Sequence, residues 1–264
     1  MTDDYVHGHA PAVLRSHRGR TVENSAAYLR PRLRPGLSIL DIGCGPGTIT
    51  ADLARIVAPG DVLGIDPEPG VVAEAAAHAG DVGNAEFRVG DVYHLDLPDD
   101  SFDVVHAHQV LQHLPDPVRA LREMRRVCRP GGVVAVRDAD YPAMSWYPLL
   151  PGLDTWLRVY RAVAADAHGT PDAGRRLLSW AREAGFDDIT PSASVWCHAT
   201  PERRAEWGGM WADRIVSSRV GHAAVAAGHA TPADIRDISD TWRAWAADPD
   251  GWFTVPHGEL LCTA

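Results

Sequence analysis

The sequence predicts an α/β protein built on an open, mostly parallel sheet with helices on both faces. Three observations point there. Between residues 36 and 138, short apolar runs alternate with segments whose apolar residues recur at helical spacing. The joints between them are brief and marked by Pro, Gly and Asp. The apolar runs are also nearly continuous, as strands buried on both faces must be. A chain of 264 residues with 45% hydrophobic content suits one large domain, or a core with a smaller addition.

The first strand is read over residues 37–42 and ends in Gly43-Cys44-Gly45-Pro46-Gly47. Residues 48–57 carry Ile49, Leu53, Ile56 and Val57 at helical spacing, and Pro59-Gly60 stops that helix. Residues 61–66 form a second strand, 70–79 an alanine-rich helix, and 85–89 a third strand ending at Gly90-Asp91. The turn 98–101 leads into a fourth strand, 102–108. Pro117 opens a helix with Val118, Leu121, Met124 and Val127 on one face, and Arg125, Arg126 and Arg129 crowd its last turn, where cations suit the helix dipole. Pro130-Gly131-Gly132 ends it before a fifth strand, 133–136.

The flanks are less regular. Helices are expected over 153–168, 174–184, 201–218 and 232–247, with strands over 189–197 and 252–262. Ahead of the sheet, helices are expected over 10–17 and 21–33, with Thr21 as N-cap of the second.

Composition excludes several chemistries. Acidic residues number 35 against 25 basic, a formal charge of −10, and every basic residue is an arginine. Without lysine there is no phosphate-loop lysine, no Schiff base and no lysine general base. The acidic balance argues against a nucleic-acid partner. Cys44, Cys128, Cys197 and Cys262 lack metal-ligand spacing, so reduced thiols in a cytoplasmic protein are the reading, with no zinc site and no disulfide framework. No leader pattern opens the sequence and no run of roughly 18 apolar residues occurs, so no membrane partner is expected.

Three groups suited to a ligand end successive strands. The glycine loop lets backbone approach a ligand closely and leaves a helix N-terminus facing it. Asp66 ends the second strand, placed to accept from ribose hydroxyls, and Asp91 ends the third, placed to accept from an adenine amino group with Val92 packing on the ring. Each alone is commonly a turn or a solvated strand end. Together, at the carboxyl ends of a parallel sheet, they point to one site.

Residues 40–48, Leu-Asp-Ile-Gly-Cys-Gly-Pro-Gly-Thr, resemble the first motif of the class I S-adenosylmethionine-dependent methyltransferases. Gly64-Ile65-Asp66, Gly90-Asp91-Val92 and the run 103–108 are similar to the motifs that follow, and residues 121–132 resemble the ubiquinone/menaquinone-biosynthesis (methyltransferase type 11) branch. The resemblance implies a Rossmann-like, mostly parallel seven-stranded sheet whose reversed last strand pairs with the sixth. It divides the chain into an N-terminal helical lid (1–35), a core (36–198 and 250–264) and a helical insertion covering the site (199–249).

The resemblance also implies site residues. S-adenosylmethionine would be held by Asp41, Gly43, Gly45, Gly47, Thr48, Asp66, Pro67, Asp91, Val92, His108 and Gln109, and S-adenosylhomocysteine would leave as product. Apart from the resemblance, the hydrogen-bonding groups of residues 5–21 suit either an exposed arm or a lid over the cleft with Arg20 reaching the cofactor carboxylate. His113 is a candidate to orient the substrate or take its proton. Asp138, after the fifth strand, is a second candidate catalytic group. Tyr5, Tyr141, Trp146 and Trp211 are candidates for a pocket that takes a flat or apolar molecule, although aromatics at helical spacing are more often core. His106 and His108 lack the companions of a metal site. The expected activity is methyl transfer to an O, N or C atom of a small molecule. Two alternatives are an NAD(P)-dependent oxidoreductase, disfavoured by the glycine spacing, and a non-catalytic cofactor-binding module.

Overall fold

Strand alternation divides the core. The computed structural model describes residues 19–264. β1 (Ile39–Ile42) sends Leu40 and Ile42 to one face of the sheet and Ile39 to the other. β4 (Phe102–His108) does the same with Val105 and Val104, and β5 (Cys128–Ala139) with Val134 and Ala135. Both faces are therefore apolar, and both are covered by helices.

β1 pairs in parallel with β2 (Val62–Asp66) on one side and β4 on the other. β3 (Ala85–Val89) extends the sheet beyond β2, and β5 extends it beyond β4. β8 (Trp252–Thr263) runs antiparallel to both β5 and β7 (Ile189–His198). The long strands thus follow the order β3-β2-β1-β4-β5-β8-β7, the reversed last strand lying between the fifth and sixth. A three-residue strand, β6 (Ser145–Tyr147), also pairs with β8 and was not foreseen from sequence.

Helices fall close to their expected bounds: α2 (Thr48–Val57), α3 (Pro69–Ala79), α4 (Pro117–Val127), α5 (Pro151–Asp166), α6 (Ala173–Glu183), α7 (Pro201–Ser217) and α9 (Pro232–Ala247). Between the last two lies α8 (Arg219–Ala226), which Ser218 separates from α7 by adopting extended backbone and capping the new helix. The helix expected over 21–33 is instead a single turn, α1 (Val22–Ser25), capped by Thr21 and Asn24 in reciprocal hydrogen bonds, with a 3₁₀ turn at Arg30–Arg32. Ala26 leaves the helical conformation (φ −139°, ψ 23°) and ends the turn, and Pro31 lies in the 3₁₀ turn that follows. The helix expected over 10–17 lies outside the described residues.

Between β7 and β8, α7, α8 and α9 pack with α5 around a third core of Trp156, Trp211, Trp242, Trp245 and Phe253, all fully buried. Trp156 meets Trp211 edge-on at 4.7 Å and Trp242 at 4.9 Å between ring centres. Most of the tryptophans foreseen as pocket or core are therefore core. One face of α7, with Trp207, Met210, Trp211 and Arg214, lines a common cavity with Ile42, Asp66, His108 and Ala139 at the carboxyl ends of β1, β2, β4 and β5. Among the described residues no helix is long and apolar enough to cross a membrane.

Candidate functional site

A cavity of about 360 Å³ lies at the carboxyl ends of β1, β2, β3 and β4, beside the point where the strand order reverses direction from β1. Its floor is the loop after β1. Gly43 (φ +65°) is so close to the turn after β4 that a Cβ there would come within 2.5 Å of the Val110 side chain. A Cβ on Gly45 would meet nothing within 4 Å, because that residue faces the open cavity. Gly47 lies away from the wall, and a Cβ there would collide with Ala75 and Phe87 at 2.9 Å, so its part is to seat the start of α2. Thr48 is on the wall, at the N-terminus of that helix.

The two strand-end carboxylates converge on this floor. Asp66 is half-buried, accepting from the Gly45 amide at 3.2 Å and the Glu68 amide at 3.1 Å, with Pro67 beside it on the wall. Asp91 is exposed and accepts from the Tyr93 amide at 2.9 Å, while Val92 is buried against the same cavity. Asp41 also borders the cavity, but its carboxylate is turned inward, accepting from Thr50 Oγ1 at 2.6 Å and bonding His106 Nδ1 at 2.7 Å. That buried triad ties β1 to α2 and β4, and it is where His106 is spent.

The turn after β4 forms the next wall. Gln109 holds a left-handed backbone (φ +56°), a costly conformation for a side-chain-bearing residue and one that concentrates at functional sites. Its Oε1 accepts from the Arg20 guanidinium at 2.6 Å, and its amide nitrogen lies 2.9 Å from His257 Nε2. Arg20 thereby bridges the N-terminal segment to the β4 turn. His108 is pushed well below the ordinary histidine range by burial and by the nearby Arg20 and Arg137, so it is neutral. His113 is pushed down to about 3, again by burial first and then by Arg20 and Arg214. Its Nε2 lies 3.0 Å from the side-chain Nε2 of Gln112.

The far end of the cavity is aromatic. Tyr141 stacks on Tyr160 at 4.1 Å, and Trp196, Trp207, Trp211, Met144 and Met210 complete the wall with Arg214. Met144, Met210 and Arg214 escaped the sequence reading. The available signal was the i, i+3, i+4, i+7 spacing of Trp207, Met210, Trp211 and Arg214 on α7.

Besides Gly47, two expected residues are off the wall. Trp146 is not on the cavity wall; it stacks on Phe253 at 5.7 Å in the cover. Asp138 is fully buried behind the wall, where its Oδ1 accepts from the Gln112 amide at 3.2 Å. Burial raises its carboxyl to about 7, against the pull of the Gln112 and Leu111 amides. It supports the turn that carries Gln112 and His113 without facing the cavity. Tyr5 lies outside the described residues.

A family described as a methyltransferase domain matches residues 40–136. An uncharacterized methyltransferase of Schizosaccharomyces pombe is 34% identical over 271 residues, covering 97% of this chain and 95% of the relative. Among solved structures, the YcgJ protein of Bacillus subtilis covers 90% of this chain and 97% of its own at a TM-score of 0.59 and 19% identity. A phosphoethanolamine N-methyltransferase of Haemonchus contortus, solved with S-adenosylhomocysteine, covers 98% of this chain and 58% of its own at a TM-score of 0.59 and 17% identity. The near full-length likeness to the S. pombe protein reaches well beyond the sheet, and the chain belongs to the class I S-adenosylmethionine-dependent methyltransferases, enzymes that move a methyl group from that cofactor to an acceptor.

Proposed function

We propose that the strand-tip half of the cavity holds S-adenosylmethionine and that the half under α7 holds a small aromatic or apolar acceptor, methylated on oxygen, nitrogen or carbon. The observation that carries this reading is the union of both halves in one cavity: hydrogen-bonding strand tips at one end, aromatic helix faces at the other. The residues fit the cofactor. Gly45 leaves open space where a side chain would intrude, and the start of α2 offers backbone N–H groups. The loop from Gly43 to Thr48 would take the amino-acid part, Asp66 and Pro67 the ribose, and Asp91 and Val92 the adenine. His108, Gln109 and Arg20 would border the methionyl end.

When bound, S-adenosylmethionine supplies a methyl group on a positively charged sulfur. Burial keeps His108 and His113 neutral, so neither ring adds a charge beside that sulfur. His113 acts by orienting the acceptor. A group held near pKa 3 beside two arginines is a poor proton store. Asp138, through the Gln112 amide, holds the turn in place. The protein's task is then chiefly positioning, which suffices to supply much of a methyl-transfer barrier.

Calorimetry tests the cofactor half. S-adenosylhomocysteine is expected to bind the full chain and NAD is not, and Asp66→Asn is expected to weaken the former by at least tenfold. Equal affinity of wild type and variant would remove Asp66 from the reading. With labelled cofactor and a fractionated small-molecule extract, label is expected to move to a low-mass product; retention of all label on the cofactor would favour the non-catalytic alternative.

A further inference from the structure

We infer that the acceptor is an elongated molecule whose far end, an uncharged hydroxyl or amide, lies in a second chamber and bonds His198. This rests on the proposed function and adds the acceptor's length and the chemistry of its distal end. A second cavity, of about 680 Å³, is bounded by α7, by β7 and by Gly19, Arg20 and Asn24. Arg20, Trp196, Trp207 and Met210 line both cavities, so the two adjoin across a collar of those side chains.

Size gives the inference its first support. A single small-molecule site commonly takes roughly 300–1,000 Å³. The first cavity, at about 360 Å³, is near the lower bound, yet in the proposed function it holds both cofactor and acceptor. An acceptor of more than one ring therefore finds its room beyond the collar. Two members of the collar are fixed, Trp196 by donating from Nε1 to the Asn24 carbonyl and Arg20 by its bond to Gln109. Met210, unbranched and polarizable, is the member that adapts to a molecule passing beside it.

His198, the last residue of β7, gives the second. Its ring stacks on Trp207, with centres 4.3 Å apart and planes 14° from parallel. It is on the wall of the second chamber and only 7% exposed, and neither ring nitrogen has a hydrogen-bond partner. A buried polar atom left unpaired is penalised, and a phenylalanine would stack on Trp207 without that cost. Burial, and then Arg203, draws His198 down to about 4, so the ring is neutral and offers one donor and one acceptor. A hydroxyl or a carboxamide can answer either of them. The charged residues on this wall, Arg20, Arg203, Glu206 and Asp213, are balanced in sign, so the chamber does not select a charged end.

The test uses the full chain saturated with S-adenosylhomocysteine and titrated calorimetrically with 4-cresol, 4-phenylphenol and 4,4′-biphenol. The two long probes are expected to bind at least tenfold tighter than cresol, and biphenol at least threefold tighter than phenylphenol, which lacks the second hydroxyl. Ala205→Trp fills the second chamber from an exposed position on α7 and is expected to remove the length gain while leaving S-adenosylhomocysteine binding unchanged. His198→Phe keeps the stack on Trp207 and is expected to bring biphenol down to phenylphenol. Long probes no tighter than cresol, undetectable binding of all three, a length gain that persists in Ala205→Trp or a hydroxyl gain that persists in His198→Phe would each overturn the inference. Because both gains are first read in wild type, misfolding of a variant does not shield it. Failure of S-adenosylhomocysteine to bind wild type would remove the underlying reading as well, whereas its binding without a length gain would remove this inference alone.

Discussion

Glu259→Gln probes a deeply buried arginine–carboxylate pair of the sheet. Arg137 on β5 and Glu259 on β8 meet at 3.1 Å with side chains only 1% and 6% exposed, so solvent screening discounts little of their attraction. The same carboxylate accepts from Ser192 at 2.9 Å and from Ser194, stitching β7 to β8 and β5. Removing its charge leaves a guanidinium buried against Trp196, 4.9 Å from the ring centre, with desolvation already drawing Arg137 down to about 10. Breaking one partner of a buried pair costs about 3 kcal/mol or more. For a domain of this size that is roughly 6–12 °C in Tm, readable by calorimetry and by urea unfolding. The double variant Arg137→Met, Glu259→Leu should recover most of the loss, because the penalty lies in the stranded charge. A single-variant loss below about 1 kcal/mol, or a double variant no better than the single, would refute this account.

Three further outcomes are expected. Gly43→Ala should lower stability by about 1–3 kcal/mol and weaken S-adenosylhomocysteine binding, since its φ of +65° and the Val110 contact both oppose a Cβ; equal affinity in calorimetry would count against the loop's role. Trp156→Ala, at the centre of the cover, should cost about 3–5 kcal/mol in urea unfolding, and a loss under about 1 kcal/mol would mean the cover tolerates the void. Asp138 has a folded-state pKa of about 7, raised by burial, so the folded protein holds a proton that the unfolded chain releases near pH 4. Its contribution to stability therefore falls as pH rises through that interval. Relative to wild type, Asp138→Asn should gain about 2 kcal/mol between pH 5 and pH 8, and a constant difference across that range would contradict the assignment.

The five parallel strands were legible because each is a short apolar run bounded by breakers such as Pro59-Gly60 and the turn 98–101. Asp66 and Asp91 could be placed because they end such runs. The side of the sheet a residue takes was harder to see beyond β5. Asp138 shares the face of Val134 and Val136 by strand alternation, while Ala139 takes the cavity side, and the sequence gives no register for that choice until β8 is paired with β5. Met210 and Arg214 were missed for a related reason. Their helix shows a clear stripe, but what the stripe faces depends on α5 and β8, distant in sequence. The three residues of β6 are too few to carry a period at all.

The chain leaves the sheet after His198 and rejoins it at Trp252, and His198 is paired with the next residue, Phe253, across the same ladder. Their separation is therefore about 5 Å, one rung of an antiparallel sheet. A segment with departure and return so close could change length without shifting the strands that bear it. The constraint on it lies instead in α5, whose Trp156 and Tyr160 share its core, so residues 199–251 could be exchanged only together with the α5 face they pack on.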